Sequence, residues 1–220
     1  MNLPNKKYNI IYADPAWSYN GKLPQRAKVQ HYPVMPIEDI CGLPVKDITA
    51  DDSILFMWAT FPLLQEGLDV IKSWGFELKT CAFVWIKTNK RTDTNQASFF
   101  PVDSFDSFWG MGGWTRSNAE ICLLGTKGKP KRLDKGIHQV IYEPIREHSR
   151  KPDCIRDKIV QLCGDLPRLE MFSRTVTPGW DIWGNQTDKF KQMPDLYTII
   201  GLALIIAGVL IVNLLGKTNS

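Results

Sequence analysis

Residues 8–19 read YNIIYADPAWSY. The run Tyr8–Ala13 is continuous, apolar and of strand length, the pattern of a strand buried on both faces. It stops on an acid, a proline, an alanine and a tryptophan: Asp14, Pro15, Ala16 and Trp17. Pro15 fixes its own φ and biases Asp14 towards extended geometry, so the strand ends on a stiff turn that presents a carboxylate. The proline lacks a backbone donor, which leaves a neighbouring carbonyl beside the carboxylate as a pair of acceptors. Such a pair matches a group with two N–H bonds, for example the exocyclic amine of adenine. Trp17 offers a flat apolar face on which a base can stack, an interaction worth about 1–3 kcal/mol. A turn in which Asp14 caps a neighbour and Trp17 packs in the core fits the same four residues equally well.

Working outward, strand and helix patterns alternate. Ser53–Ala59 is a second buried strand. Pro62–Trp74 places Leu64, Leu68, Ile71 and Trp74 at helical spacing and closes on Gly75. Phe76–Lys87, Ala119–Thr126 and Ile137–Tyr142 read as strands, Asp153–Cys163 as a helix with Ile155, Ile159 and Leu162 on one face, and Arg168–Phe172 as the last strand. Residues 88–118 carry neither period and hold glycines and a proline among aromatic residues; a loop of that length inside a compact domain is functional or disordered. Repeated βα alternation predicts an open, mostly parallel α/β sheet of Rossmann type. In such sheets ligands sit beyond the carboxyl ends of the strands, which is where Asp14 falls.

Bulk properties narrow the class. The net charge of +4 permits a nucleic-acid partner without requiring one, and 44% hydrophobic residues supply a substantial core. The five cysteines (Cys41, Cys81, Cys122, Cys154, Cys163) are widely spaced with no CxxC pair. They read as small buried hydrophobes in a reducing cytoplasm, and no metal site is expected. The polar first residues carry no secretory signal pattern.

The blocks ADPAW (13–17), HYPVM (31–35), LFMWAT (55–60), WGFELKTCAFVWIKTN (74–89), NAEICLLGTKGKP (118–130), REHSRKPD (146–153), LEMFSR (169–174) and WDIWGNQ (180–186) occur in this order. Together they resemble the adenine N6-methyltransferases of the MT-A-seventy family, whose members include the catalytic subunit of the eukaryotic messenger-RNA enzyme and small bacterial and phage enzymes. The resemblance covers about residues 7–188 and implies a Rossmann-like methyltransferase domain over 1–190. It implies S-adenosyl-L-methionine as the cofactor and the N6 amine of adenine as the target. DNA is the expected substrate, because the chain lacks the RNA-binding modules of the eukaryotic relatives. RNA, or a catalytically degenerate nucleic-acid-binding partner subunit, is the alternative, and a dimer or partner subunit stays open.

By the same resemblance Asp14, Pro15, Ala16 and Trp17 form the catalytic motif. Asp14, Lys151, Phe172, Arg174, Asn185 and Gln186 contact the cofactor, and Tyr19, Asn20, Trp114 and Arg116 contact the substrate. Ala16 departs from the family, which usually has proline there. The cluster Lys127, Lys129, Lys131, Arg132 and Lys135 is a candidate phosphate track or a solvated turn.

Residues 191–220 form a linker and an apolar tail. From Leu196 to Gly216, 21 consecutive residues carry no charge, enough for a transmembrane helix over about 196–216. The tail resembles the last transmembrane helix of small multidrug resistance transporters, including the glycines Gly201 and Gly208. A cytoplasmic catalytic domain tail-anchored to the membrane, or a joined reading frame without a role in catalysis, follows from it.

Overall fold

A computed structural model describes residues 3–18, 34–89, 108, 110, 114–147, 150–184 and 204. Seven strands form one sheet: β1 (Tyr8–Ala13), β2 (Thr49–Ala59), β3 (Glu77–Thr88), β4 (Ala119–Lys127), β5 (Val140–Pro144), β6 (Arg168–Met171) and β7 (Asp181–Trp183). The helices are α1 (Ile37–Gly42), α2 (Leu64–Ser73) and α3 (Cys154–Cys163). The strand order is β5-β3-β4-β2-β1-β6-β7. Six strands run parallel, and β4 runs antiparallel between β3 and β2. The carboxyl ends of six strands and the amino end of β4 therefore share one edge. The strand order turns at β1, with β2 on one side and β6 on the other, which is the switch-point crevice expected in such sheets.

The continuous apolar runs of β1 and β2 are explained by burial on both faces. Ile11, Ala13, Leu55 and Met57 face α1 and α2, packing with Ile40, Val70, Ile71 and Trp74. Ile10, Tyr12, Phe56 and Trp58 face the other way, with Ile155, Ile159 and Cys163 of α3. Each such aliphatic side chain contributes about 1.5–3 kcal/mol on burial.

Several expected boundaries shift. The second strand begins at Thr49, and the fifth covers Val140–Pro144 rather than Ile137–Tyr142, because its partners on β3 are Val84 to Thr88. Pro144 is tolerated at the end of an edge strand, where the lost donor faces no partner. Arg168–Met171 is followed by β7, so it is not the last strand. On α3, Cys163 completes the buried face and Leu162 is half-buried. Gly164 ends that helix at φ +93°, a conformation that L side chains rarely adopt. Cys122 and Cys163 are buried, but Cys41, Cys81 and Cys154 are half-buried, so three of the five cysteines are not fully internal.

Among the described residues of 88–118, those beyond β3 and before β4 form neither helix nor strand. The proposed membrane segment falls outside the described residues apart from Leu204. No helix among the described residues is long and apolar enough to cross a membrane.

Candidate active site

Alternate residues of the face covered by α3 form rows that change character towards the shared edge. On β1 the row is Ile10, Tyr12 and then Asp14; on β3 it is Phe83, Trp85 and Lys87; on β4, read from the far end, it is Cys122 and then Glu120. Strand periodicity, apolar inside and charged at the rim, thus delivers three charged groups to one place. Lys151 supplies the fourth from the segment before α3.

These four side chains form a continuous chain of ion pairs. Lys151 Nζ lies 2.8 Å from Asp14 Oδ1 and 2.9 Å from Asp14 Oδ2. The same ammonium is 3.2 Å from Glu120 Oε2. Lys87 Nζ donates to Glu120 Oε1 at 2.5 Å. Lys151 and Glu120 are 10% and 14% exposed, whereas Asp14 is 29% exposed, so the chain of pairs opens at Asp14. Burial works against the Lys151 ammonium, but the two carboxylates more than offset it and raise its pKa. Burial also pushes Glu120 up, yet Lys151 and Lys87 hold its carboxyl below the usual range. For Asp14, burial wins: its pKa is raised against the pull of Lys151 and of nearby Arg174, with Glu120 adding to the rise.

The segment carrying Lys151 is tied down by arginines. Asp153, at the start of α3, pairs with Arg146, with Arg150 at 2.9 Å and with Arg156 at 3.2 Å. Arg156 is also bidentate on Glu170 of β6, at 2.7 and 2.5 Å. Pro152 holds Lys151 out of the helix that follows.

The Asp-Pro-Ala-Trp turn is held by its own backbone. Trp17 N–H donates to the Pro15 carbonyl at 2.9 Å, and Met35 N–H donates to the Ala16 carbonyl at 2.8 Å. One acceptor expected to be bare is therefore already used by Trp17, and the Pro15 oxygen keeps one lone pair for a ligand. Ala16 meets the geometry of the turn through its carbonyl. Trp17 is 5% exposed and belongs to the core with Ile40 and Met57. The ring packs into the core, and Trp17 pairs with Met35 through an isolated parallel bridge.

Phe172 and Arg174 follow β6 at the same edge. Phe172 has φ +62°, the one positive φ of a non-glycine among the described residues, and its ring meets Trp183 edge-on at 5.3 Å. Such strain costs on the order of 1–3 kcal/mol and collects at ligand sites. Gly184 has no room for a side chain, since a Cβ would collide with the Ser173 carbonyl oxygen. Trp114 is fully exposed, and Arg116 is exposed with it, both in the segment leading into β4 at the site edge. Tyr19, Asn20, Asn185 and Gln186 lie outside the described residues.

The basic cluster stands elsewhere. Lys127 pairs in register with Ser53 and bonds Thr49 Oγ1 at 3.0 Å, at the sheet edge opposite Asp14. It cannot track phosphates beside the site. Lys87 and Glu120 were not singled out from sequence, although a lone charge closing an apolar strand is a usable signal in both. No group of three or more potential metal ligands occurs among the described residues.

The donor set fits a zwitterionic cofactor: a buried ammonium and Arg174 for a carboxylate, Asp14 for cationic groups, and the Phe172 ring for a base. The sequence model of the MT-A70 family matches residues 8–186. The chain is 33% identical over 202 residues to the Type II methyltransferase M.MunI of Mycoplasma sp, covering 83% of this chain and 78% of that protein. It is 30% identical over 196 residues to the N(6)-adenosine-methyltransferase MT-A70-like protein of Drosophila melanogaster (87% of this chain, 29% of that protein). It is 29% identical over 194 residues to the N(6)-adenosine-methyltransferase catalytic subunit METTL3 of Homo sapiens (86% and 30%).

Proposed function

We propose that this chain, which belongs to the MT-A70 family and is an enzyme of the adenine N6-methyltransferase type, transfers the methyl group of S-adenosyl-L-methionine to adenine in DNA. The observation that carries this reading is the buried Lys151–Asp14 pair, open to ligand on the Asp14 side at the switch point of the sheet. The choice of DNA is supported by length. The chain covers 78% of the Type II methyltransferase M.MunI. It covers under a third of the two adenosine methyltransferases.

The cofactor, when bound, supplies an electrophilic methyl on a sulfonium. An adenine amine is a poor nucleophile because its lone pair is delocalised into the ring. Asp14 would accept one of its N–H bonds and the remaining lone pair of the Pro15 carbonyl the other; as the nitrogen–methyl bond formed and the sulfur–methyl bond broke, the surplus amine proton would pass to the Asp14 carboxylate and on to water. Lys151 holds the carboxylate in place and keeps the site from becoming doubly negative. Lys151 and Arg174 would hold the cofactor carboxylate, Phe172 its base, and Asn185 and Gln186 are proposed to complete that end. Of the substrate-side residues, Tyr19 and Asn20 are proposed to contact the base, the exposed Trp114 to stack on it and Arg116 to meet a phosphate. The target adenine is flipped from the duplex to reach Asp14.

In this reading residues 1–190 form a cytoplasmic methyltransferase domain and the run 196–216 is a membrane anchor; carbonate-resistant membrane recovery of the full chain tests the latter. The chemistry is tested by incubating the full chain with S-adenosyl-L-methionine and unmethylated DNA or RNA, then scoring N6-methyladenine by mass spectrometry. Product in DNA, absent in Asp14→Ala, is the expected result. Product in RNA alone transfers the reading to RNA. Cofactor bound by neither protein, with no product, overturns it in favour of a degenerate binding subunit.

A further inference from the structure

Trp58 lies on β2 on the face covered by α3 and is fully buried. Its surroundings are unusual for a core tryptophan. Its indole Nε1–H donates to the Tyr12 hydroxyl at 2.8 Å. Trp85 meets it edge-on at 6.5 Å. The Lys151 ammonium sits 5.6 Å from its ring centroid, within cation–π range. Tyr12 is held in turn, because the Arg156 guanidinium lies 5.8 Å from its ring centroid while that arginine is bidentate on Glu170.

A buried ammonium on a four-carbon stem has several rotamers that satisfy a carboxylate. Asp14 and Glu120 both attract Lys151, and nothing in two point charges fixes where between them it rests. A rigid ring face is different. It presents negative potential over a small area, and the hydrogen bond to Tyr12 sets the plane of that area. The ring thereby favours the one lysine position that also meets both oxygens of Asp14.

We propose that Trp58, its plane set by Tyr12, is the positioning residue of Lys151 and through it of Asp14. It touches neither substrate nor cofactor. The proposal rests on the reading of Asp14 as the group that meets the adenine amine, but its physical part, the seating of Lys151, stands apart from any activity.

The test uses the full chain and three variants: Trp58→Phe, which keeps a ring; Trp58→Leu, which does not; and Tyr12→Phe, which removes the acceptor alone. Three readouts are taken: methylation kcat and KM, thermal melting, and the ¹⁵N NMR signal of the Lys151 ammonium, assigned with Lys151→Met. The expected result is a fall in kcat of tenfold or more for Trp58→Leu, with KM for the nucleic acid within twofold. Trp58→Phe and Tyr12→Phe, each of which keeps a ring but loses the hydrogen bond that sets its plane, both fall between the unmodified chain and Trp58→Leu. The slowly exchanging Lys151 signal is retained in the phenylalanine variant and lost in the leucine variant. The proposal is overturned if Trp58→Phe and Trp58→Leu have equal kcat, or if the loss follows melting temperature alone. Survival of the Lys151 signal in Trp58→Leu overturns it too. Should Trp58→Leu fail to fold, Tyr12→Phe decides: an unchanged kcat and an unchanged Lys151 signal sink the idea. If the unmodified chain methylates nothing, the functional reading fails on its own, and the NMR comparison still decides the seating of Lys151.

Discussion

The same strands build two unlike surfaces. Towards α1 and α2 the central strands present Ile11, Ala13, Leu55, Met57, Leu169 and Met171, a mainly aliphatic layer. Towards α3 the intervening positions are Tyr12, Phe56, Trp58 and Glu170, an aromatic layer threaded by an indole–phenol hydrogen bond and a buried Arg156–Glu170 pair. The first face asks only for shape. The second asks for partners, since an unpaired polar group there would cost about 1–3 kcal/mol and an unpaired charge more. All four charges of the candidate site continue the second face. A polar layer under a site costs stability that an aliphatic one would not, and its return is orientation. The comparison therefore separates residues that hold the fold from residues that aim the chemistry.

Substitutions on the two faces can break that separation. The largest effect is expected from Asp14→Asn, which keeps the shape but weakens the acceptor: methylation per folded molecule should fall about 10³-fold, as scored by nucleoside mass spectrometry. Glu120→Gln leaves Lys151 and Lys87 short of a counter-charge and should lower unfolding free energy by about 3–5 kcal/mol in denaturant titrations at neutral pH. Because the folded state holds Glu120 below 4.5, its contribution is complete above that pH and is lost as pH falls through the lower folded value. The difference between the two proteins should therefore be flat from pH 6 to 8, and shrink in acid; a difference that persists unchanged in acid would contradict the ion-pair account. On the aliphatic face, Leu55→Ala should cost about 2–4 kcal/mol in the same titrations while turnover per folded molecule stays put. Reduced turnover in folded Leu55→Ala would show that the faces do not divide as described. The smallest effect belongs to Ile159→Val beneath the aromatic layer, about 1 kcal/mol with no kinetic consequence.

What could be read from the residues follows from how local each signal was. The strand at Tyr8–Ala13 and the turn at Asp14 were legible because burial on both faces leaves an uninterrupted apolar run, and proline states its own geometry. The helix Cys154–Cys163 was legible from its period and its terminal glycine. The strand Asp181–Trp183 was not, since three residues cannot display a period. Neither was α1, six residues long behind Pro36. The direction of β4 leaves no trace in its side-chain pattern, because an antiparallel strand buried on both faces looks like a parallel one. Glu120 and Lys87 escaped notice for a related reason: their pairing joins positions 33 apart in the chain, and each alone is an ordinary charged residue. Trp17 was undecidable from its motif, and packing against Ile40 and Met35 settled it.

The central place of β1 also shapes how the chain can be made. Its partners are β2 on one side and β6 on the other, and the ribosome delivers these at very different times. At about 5–20 residues per second, the interval between Ala59 and Arg168 lasts roughly 5–20 s. Throughout it, a nascent β1–β2 pair would carry one open, strongly apolar edge at the position later filled by β6, the template on which neighbouring nascent chains can pair. Synonymous codons that slow the stretch between β2 and β6 should therefore raise the insoluble fraction of the product without altering a single residue.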